Sequence, residues 1–70
     1  MVAPVVVHRP SPSGGRRVTV RNSILGVAYS DADLIEFLRA AGLDHAEALV
    51  GSDTTMIEWR GGRAHQYDTS

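Results

Sequence analysis

Apolar and polar positions change their period along this chain, and each change predicts an element. Val5 to Val7 is an uninterrupted apolar run. It predicts a short strand within Val2 to Arg9, and Pro4 and Pro10 confine that strand to a sheet edge because proline cannot donate to a ladder. Across Arg16 to Tyr29 (RRVTVRNSILGVAY) the period is two. A two-residue turn at Asn22-Ser23 pairs Val20 with Leu25 and Val18 with Val27. This register gathers Val18, Val20, Leu25, Val27 and Tyr29 on one face and sends Arg17, Thr19, Arg21, Ile24, Gly26 and Ala28 to the other. From Tyr29 to Leu43 the period turns helical, with Leu34, Phe37, Leu38 and Ala41 on one face and Ile35 widening it. Thr54 to Arg60 (TTMIEWR) again suits a strand. Gly61-Gly62 then predicts a tight turn, with Arg63 to Tyr67 returning.

The helix has both ends written into it. Ser30 is a strong N-cap, Asp33 is a short-armed capping-box acid, and Tyr29 is placed to staple onto Leu34. Asp31, Asp33 and Glu36 lie near the positive end of the helix dipole and Arg39 near the negative end. Gly42 fits the left-handed position after the last turn, with Leu43 folding back on Leu38. Asp44-His45-Ala46-Glu47 reads as a second capping box, with room for only a short helix ending near Val50. Ser52 and Asp53 make a turn.

Strand, hairpin, helix, short helix, hairpin predicts an α+β fold. An antiparallel sheet of four to five strands in two hairpins carries one main helix on one face, with an optional short second helix. Residues 1–15 read as an edge strand and a flexible Pro/Ser/Gly loop (PSPSGG), and residues 16–68 as a single small domain. Asp68 to Ser70 reads as a fraying tail. The expected core is Val18, Val20, Leu25, Val27, Tyr29, Leu34, Ile35, Phe37, Leu38, Leu43, Ile57 and Trp59. Trp59 shares a strand face with Ile57, which places its indole against the helix near Phe37 or Leu38. On the second hairpin, Met56, Glu58, Arg60, Arg63, His65 and Tyr67 take the face away from the helix. One helix covers only one side of the sheet.

Composition narrows the options. Seventy residues make one domain at most, and cysteine is absent, which excludes disulfide staples and thiolate zinc sites. A chain so short is marginal without a partner or an efficient core. No segment approaches the roughly 20 apolar residues of a membrane span, and the valine run is too short for a signal-peptide core. A cytoplasmic protein is expected. Charge is segregated: residues 1–30 carry +4, residues 31–58 carry −6, and residues 59–70 carry +1. All seven basic residues are arginine, which a GC-rich coding genome explains more simply than selection for bidentate chemistry.

The segments AYSDADLIEFLRAAGL and MIEWRGG resemble those of small uncharacterised actinobacterial proteins, over about Arg16 to Gly62. That resemblance implies the fold and no activity, cofactor or catalytic residue.

Candidate chemistry is sparse. His8, His45 and His65 lie in different elements without i, i+4 spacing, so isolated surface histidines are the simpler reading than a metal site. Asp31 and Asp33 are explained by the helix dipole. There is neither a nucleophile elbow nor a phosphate-cradling loop with its lysine. No enzyme activity, metal, cofactor or small-molecule substrate is expected. Arg60-Gly61-Gly62-Arg63 resembles one RGG element of RNA-binding tails, though a lone copy between two strands reads as a glycine turn. Two functional readings follow. The open sheet face, with Ile24, Met56 and Tyr67 uncovered and Glu58 as an anion, suits a protein partner or a weak homodimer. Arg17, Arg21, Arg60, Arg63 and His65 on that face suit DNA or RNA.

Overall fold

The computed structural model describes residues 4–52 and 54–68. The start of the predicted Val2–Arg9 segment, Asp53 of the predicted turn and the end of the predicted tail lie outside the described residues. The fold is α+β. Strands β1 (Val5–Pro10), β2 (Arg16–Val20) and β3 (Ser23–Ala28) form a meander. Helices α1 (Asp31–Ala40) and α2 (Ala46–Gly51) follow, and the short strand β4 (Ile57–Trp59) closes the sheet. The strand order is β3-β2-β1-β4, antiparallel except for the β1–β4 pair, which is parallel. A parallel pair needs a crossover, and the two helices supply it.

The first correction concerns β1. It is not an edge strand but an interior one, bonded on both sides, with Val5 and Val7 fully buried. Pro4 and Pro10 stand at its two limits, where a missing N–H interrupts no central bond. Residues 11–15 form the hairpin loop between β1 and β2. Ser11 N–H donates to the Gly15 carbonyl at 2.9 Å, and Gly14 N–H returns to the Ser11 carbonyl at 2.9 Å.

Helix α1 forms as expected. Ser30 is its extended N-cap, accepting from the Asp33 N–H at 3.3 Å, while the Asp33 carboxylate accepts from the Tyr29 N–H at 3.0 Å. At the other end Gly42 takes a left-handed φ of 86° and donates to the Arg39 carbonyl, and Leu43 donates to Leu38. These are the two bonds of a Schellman stop. Helix α2 starts at Ala46 with His45 as a left-handed cap making no side-chain bond, so the predicted Asp44 capping box does not form. Instead Glu47 reaches back to Arg39 and ties α2 to α1.

The hairpin turn is one residue earlier than expected. Val20 faces Ser23, and Arg21 and Asn22 turn the chain at φ 50° and 71°. The register then slips between Thr19↔Ile24 and Val18↔Gly26, leaving Leu25 as the extra residue of a bulge. One extra residue exchanges the faces beyond it. Ala28 is therefore in the core, while Val27 and Tyr29, both expected inside, are 43% and 65% exposed. Tyr29 does not staple the helix; its ring lies against Gly15. Phe37 takes the space left by Gly26, where a Cβ would come within 2.7 Å of the ring.

Among the described residues no strand returns after β4. Gly61 and His65 have φ of 69° and 66°, which a strand does not accommodate. Residues 60–67 instead wrap the end of the sheet around Arg16, which is fully buried. All five of its N–H groups are directed at backbone carbonyls. Nε donates to His8 at 2.8 Å, and Nη1 donates to Arg63 and Gln66 at 2.9 and 2.8 Å. Nη2 donates to Arg60 at 2.6 Å and more weakly to Val7 at 3.4 Å. Burial lowers its pKa, and the Tyr67 phenol opposes that shift. The Gly15 N–H adds a bond to the Tyr67 carbonyl at 2.8 Å. Tyr67 thus joins the core at 8% exposure with Val5, Val7, Val18, Ala28, Leu34 and Leu38. Trp59 does share the core side with Ile57, but it is only half-buried. It packs against the core, with Arg16 5.3 Å above its ring and the His65 and Tyr67 rings beside it.

Replacing Arg16 with Met should cost about 3–5 kcal/mol, because several carbonyls lose their donor in a dry site. Hydrogen exchange locates the loss: the Gly15 amide should lose protection before the α1 amides do, and equal loss at both would argue against a local clasp. Ser30→Ala should cost about 1 kcal/mol, read as a lower urea midpoint with unchanged slope.

Candidate interaction face and flanking grooves

Side chains alternate along a strand, so the register places two rows on the sheet face away from the helices. The first row runs Ile24, Thr19, Val6, Glu58 across β3, β2, β1 and β4. The second runs Val27, Arg17, His8, Arg60. Val27 is paired with Arg17 in the ladder, and Arg60 continues the parallel pairing through its N–H to the Val7 carbonyl at 2.9 Å. Each row is apolar at the β3 end and charged at the β4 end. Ile24, 67% exposed, and Val27 supply the apolar end, while Glu58 and Arg60 pair with each other at the other.

His8 occupies the middle of the second row. Its Nε2 and the Thr19 Oγ1 are 2.9 Å apart. Its pKa is lowered, first by burial and then by the positive charges of Arg17 and Arg60, with Glu58 opposing. Burial is the larger cause, and the two guanidinium groups add to it.

The predicted site residues therefore divide. Ile24, Glu58, Arg17 and Arg60 share the open face. Met56, 39% exposed, lies in the turn before β4. Arg21 sits in the hairpin turn with a left-handed backbone. Tyr67 is corrected from surface to core. Arg63 and His65, expected on the open face, belong to the wrapped segment instead. His65 stacks on Trp59, with ring centres 5.0 Å apart.

The same segment builds a polar cluster that the sequence did not suggest. Asp31, in the first turn of α1, accepts from Tyr67 Oη at 2.7 Å and lies 2.9 and 3.0 Å from His65 Nδ1. A carboxylate only accepts, so in this contact His65 Nδ1 is the donor. Burial first, and then the bond to Asp31 and its charge, push the Tyr67 phenol well above its ordinary value. The cluster borders an open depression of about 610 Å³ that also includes Ser13, Ser30 and Tyr29. A second groove of about 600 Å³ runs between Arg9 and Arg63 over Gly61 and Gly62. Among the described residues no group of three or more histidine, cysteine or acidic side chains could hold a metal ion, and no helix is long and apolar enough to cross a membrane.

No protein-family model, curated protein or solved structure matches this chain.

The Tyr67 phenol sets a pH dependence whose sign follows from proton counting. Above about pH 10 the unfolded chain releases the Tyr67 proton and the folded chain keeps it. The stability contributed by Tyr67 is therefore complete below pH 10 and falls as pH rises beyond it. Urea midpoints measured from pH 9 to 11 should fall in the native chain and fall less steeply in Tyr67→Phe. Parallel curves would mean that the buried phenol is not the group responsible.

Proposed function

We propose that this chain is a non-catalytic interaction module whose open sheet face docks a second copy of itself. The observation that carries this reading is the order of the two rows. A two-fold axis lying in the interface, perpendicular to the strands, lays each row of one copy over the other row of its mate. Ile24 then meets Val27 twice at the β3 end of the contact, and Glu58 meets Arg60 twice at the β4 end. The apolar end supplies the burial that so short a chain cannot find internally, and the charged end fixes orientation. A stable pairing needs roughly 800 Å² from each copy. The whole chain exposes 4581 Å², so the pairing is weak and dependent on concentration. A cysteine-free module of this kind suits a cytoplasmic setting.

The nucleic-acid alternative draws on the positive field around His8. Only Arg17 and Arg60 of the predicted basic set share that face, which favours the protein reading.

Sedimentation equilibrium from micromolar to millimolar concentration should show a monomer–dimer equilibrium. Ile24→Asp should shift it to monomer with the fold intact. Glu58→Arg alone should also weaken it, and the double swap Glu58→Arg, Arg60→Glu should restore it. A native chain that stays monomeric at millimolar concentration, yet shows face-specific amide shifts with single-stranded DNA, would replace this reading with the nucleic-acid one.

A further inference from the structure

None of the docking-face side chains lines the groove between Arg9 and Arg63, although Arg9 also borders the depression that holds His8, Arg17 and Val27. We propose that it is a binding site for a phosphoryl group. Three observations converge on an anion there. First, the arginines on its two walls are uncommitted: among the described residues, neither the Arg9 nor the Arg63 side chain makes an ion pair or hydrogen bond. Arg39 and Arg60 are both paired with glutamates, by contrast. Second, Gly61 and Gly62 line the groove with no side chain of their own, and the Arg9 side chain packs over Gly61, where a Cβ would come within 2.8 Å of Arg9 Cβ and 3.0 Å of its Nε. The Gly61 backbone, at φ 69°, thereby seats the Arg9 side chain at the groove.

Third, a buried cation lies beneath. Arg16 Nη1 is 3.3 Å from the position a Gly62 Cβ would take, and Arg16 is bonded to carbonyls rather than to any carboxylate. Its charge is oriented and hydrogen-bonded but not neutralised. Two arginines thus line the groove and a third lies beneath it, against the carboxylate of Asp68 among its described lining residues. Asp68 closes no salt bridge to either wall. The planar fork of arginine matches phosphate geometry, and two such forks beside glycine backbone suit a dianionic phosphate monoester better than a carboxylate.

The test uses the intact chain and inorganic phosphate, followed by amide NMR at constant ionic strength. Saturable shifts should appear at Gly61, Gly62 and Arg63. Arg9→Gln and Arg63→Gln should each weaken binding about tenfold. Arg17→Gln, at a residue that does not line the groove, should leave it unchanged. Unperturbed Val18 and Leu38 amides verify that each variant is folded. Adenosine monophosphate then identifies the source. Tighter binding than phosphate points to a nucleotide-sized ligand, and equal binding points to the phosphoryl group itself. Shifts that never saturate, that sodium chloride reproduces, or that Arg17→Gln diminishes as much as Arg63→Gln would overturn the proposal. Because binding is read at Gly61 and Gly62 and dimerisation by sedimentation, either proposal can fail without the other.

Discussion

The structure depends on one buried cation. Arg16 sits at the start of β2 with no carboxylate beside it, and taking a guanidinium out of water without a counter-ion is ordinarily prohibitive. What offsets the cost here is complete hydrogen bonding: each of its five N–H groups is directed at a backbone carbonyl. Those carbonyls belong to two segments, β1 and residues 60–66. The same bonds that solvate the charge also fold the C-terminal segment against the sheet. The Trp59 face then adds a cation–π contact. Remove the cation, and the segment loses the reason for its shape.

That segment in turn decides what the core contains. Once residues 60–66 turn around Arg16, Tyr67 is carried into the apolar layer, and its hydroxyl needs an acceptor there. Asp31 supplies it from the first turn of α1, the end of a helix where a negative charge is favoured. The helix that covers the sheet and the segment that closes its end are therefore joined through one carboxylate, with His65 as the third member. Helix acidity, explained locally by the dipole, thus acquires a tertiary role at Asp31 and again at Glu47, which reaches Arg39.

Burying Arg16 also distributes the remaining arginines. Arg17, its neighbour in sequence, must point the other way along the strand and so joins the open face. Arg60 follows on the same face beside Glu58, while Arg9 and Arg63 are left flanking the glycine turn. The open face and the groove are consequences of one register rather than independent features. They differ in chemistry: the face is graded from apolar to charged, and the groove is lined by arginines beside glycine backbone.

The sequence by itself determined what is local. Ser30, Asp33, Gly42 and Leu43 cap α1 through partners within five residues, so their types and spacing were sufficient. The α+β class followed from the change of period, and the exposure of Ile24, Arg17 and Arg60 on one sheet face followed from having a single main helix, although Val6 and Thr19 between them are buried. Only the tertiary structure decided the rest. The bulge at Leu25 reverses which of Val27 and Ala28 is inside, and period-two reasoning cannot detect one extra residue in an alternating strand. Val5–Val7 became an interior strand because β4, arriving about fifty residues later, found its free side. Arg16 could not be told from Arg17 by residue type. Its carbonyl partners at Arg60, Arg63 and Gln66 are 44 to 50 residues away, and a backbone acceptor leaves no mark in a sequence because every residue has one.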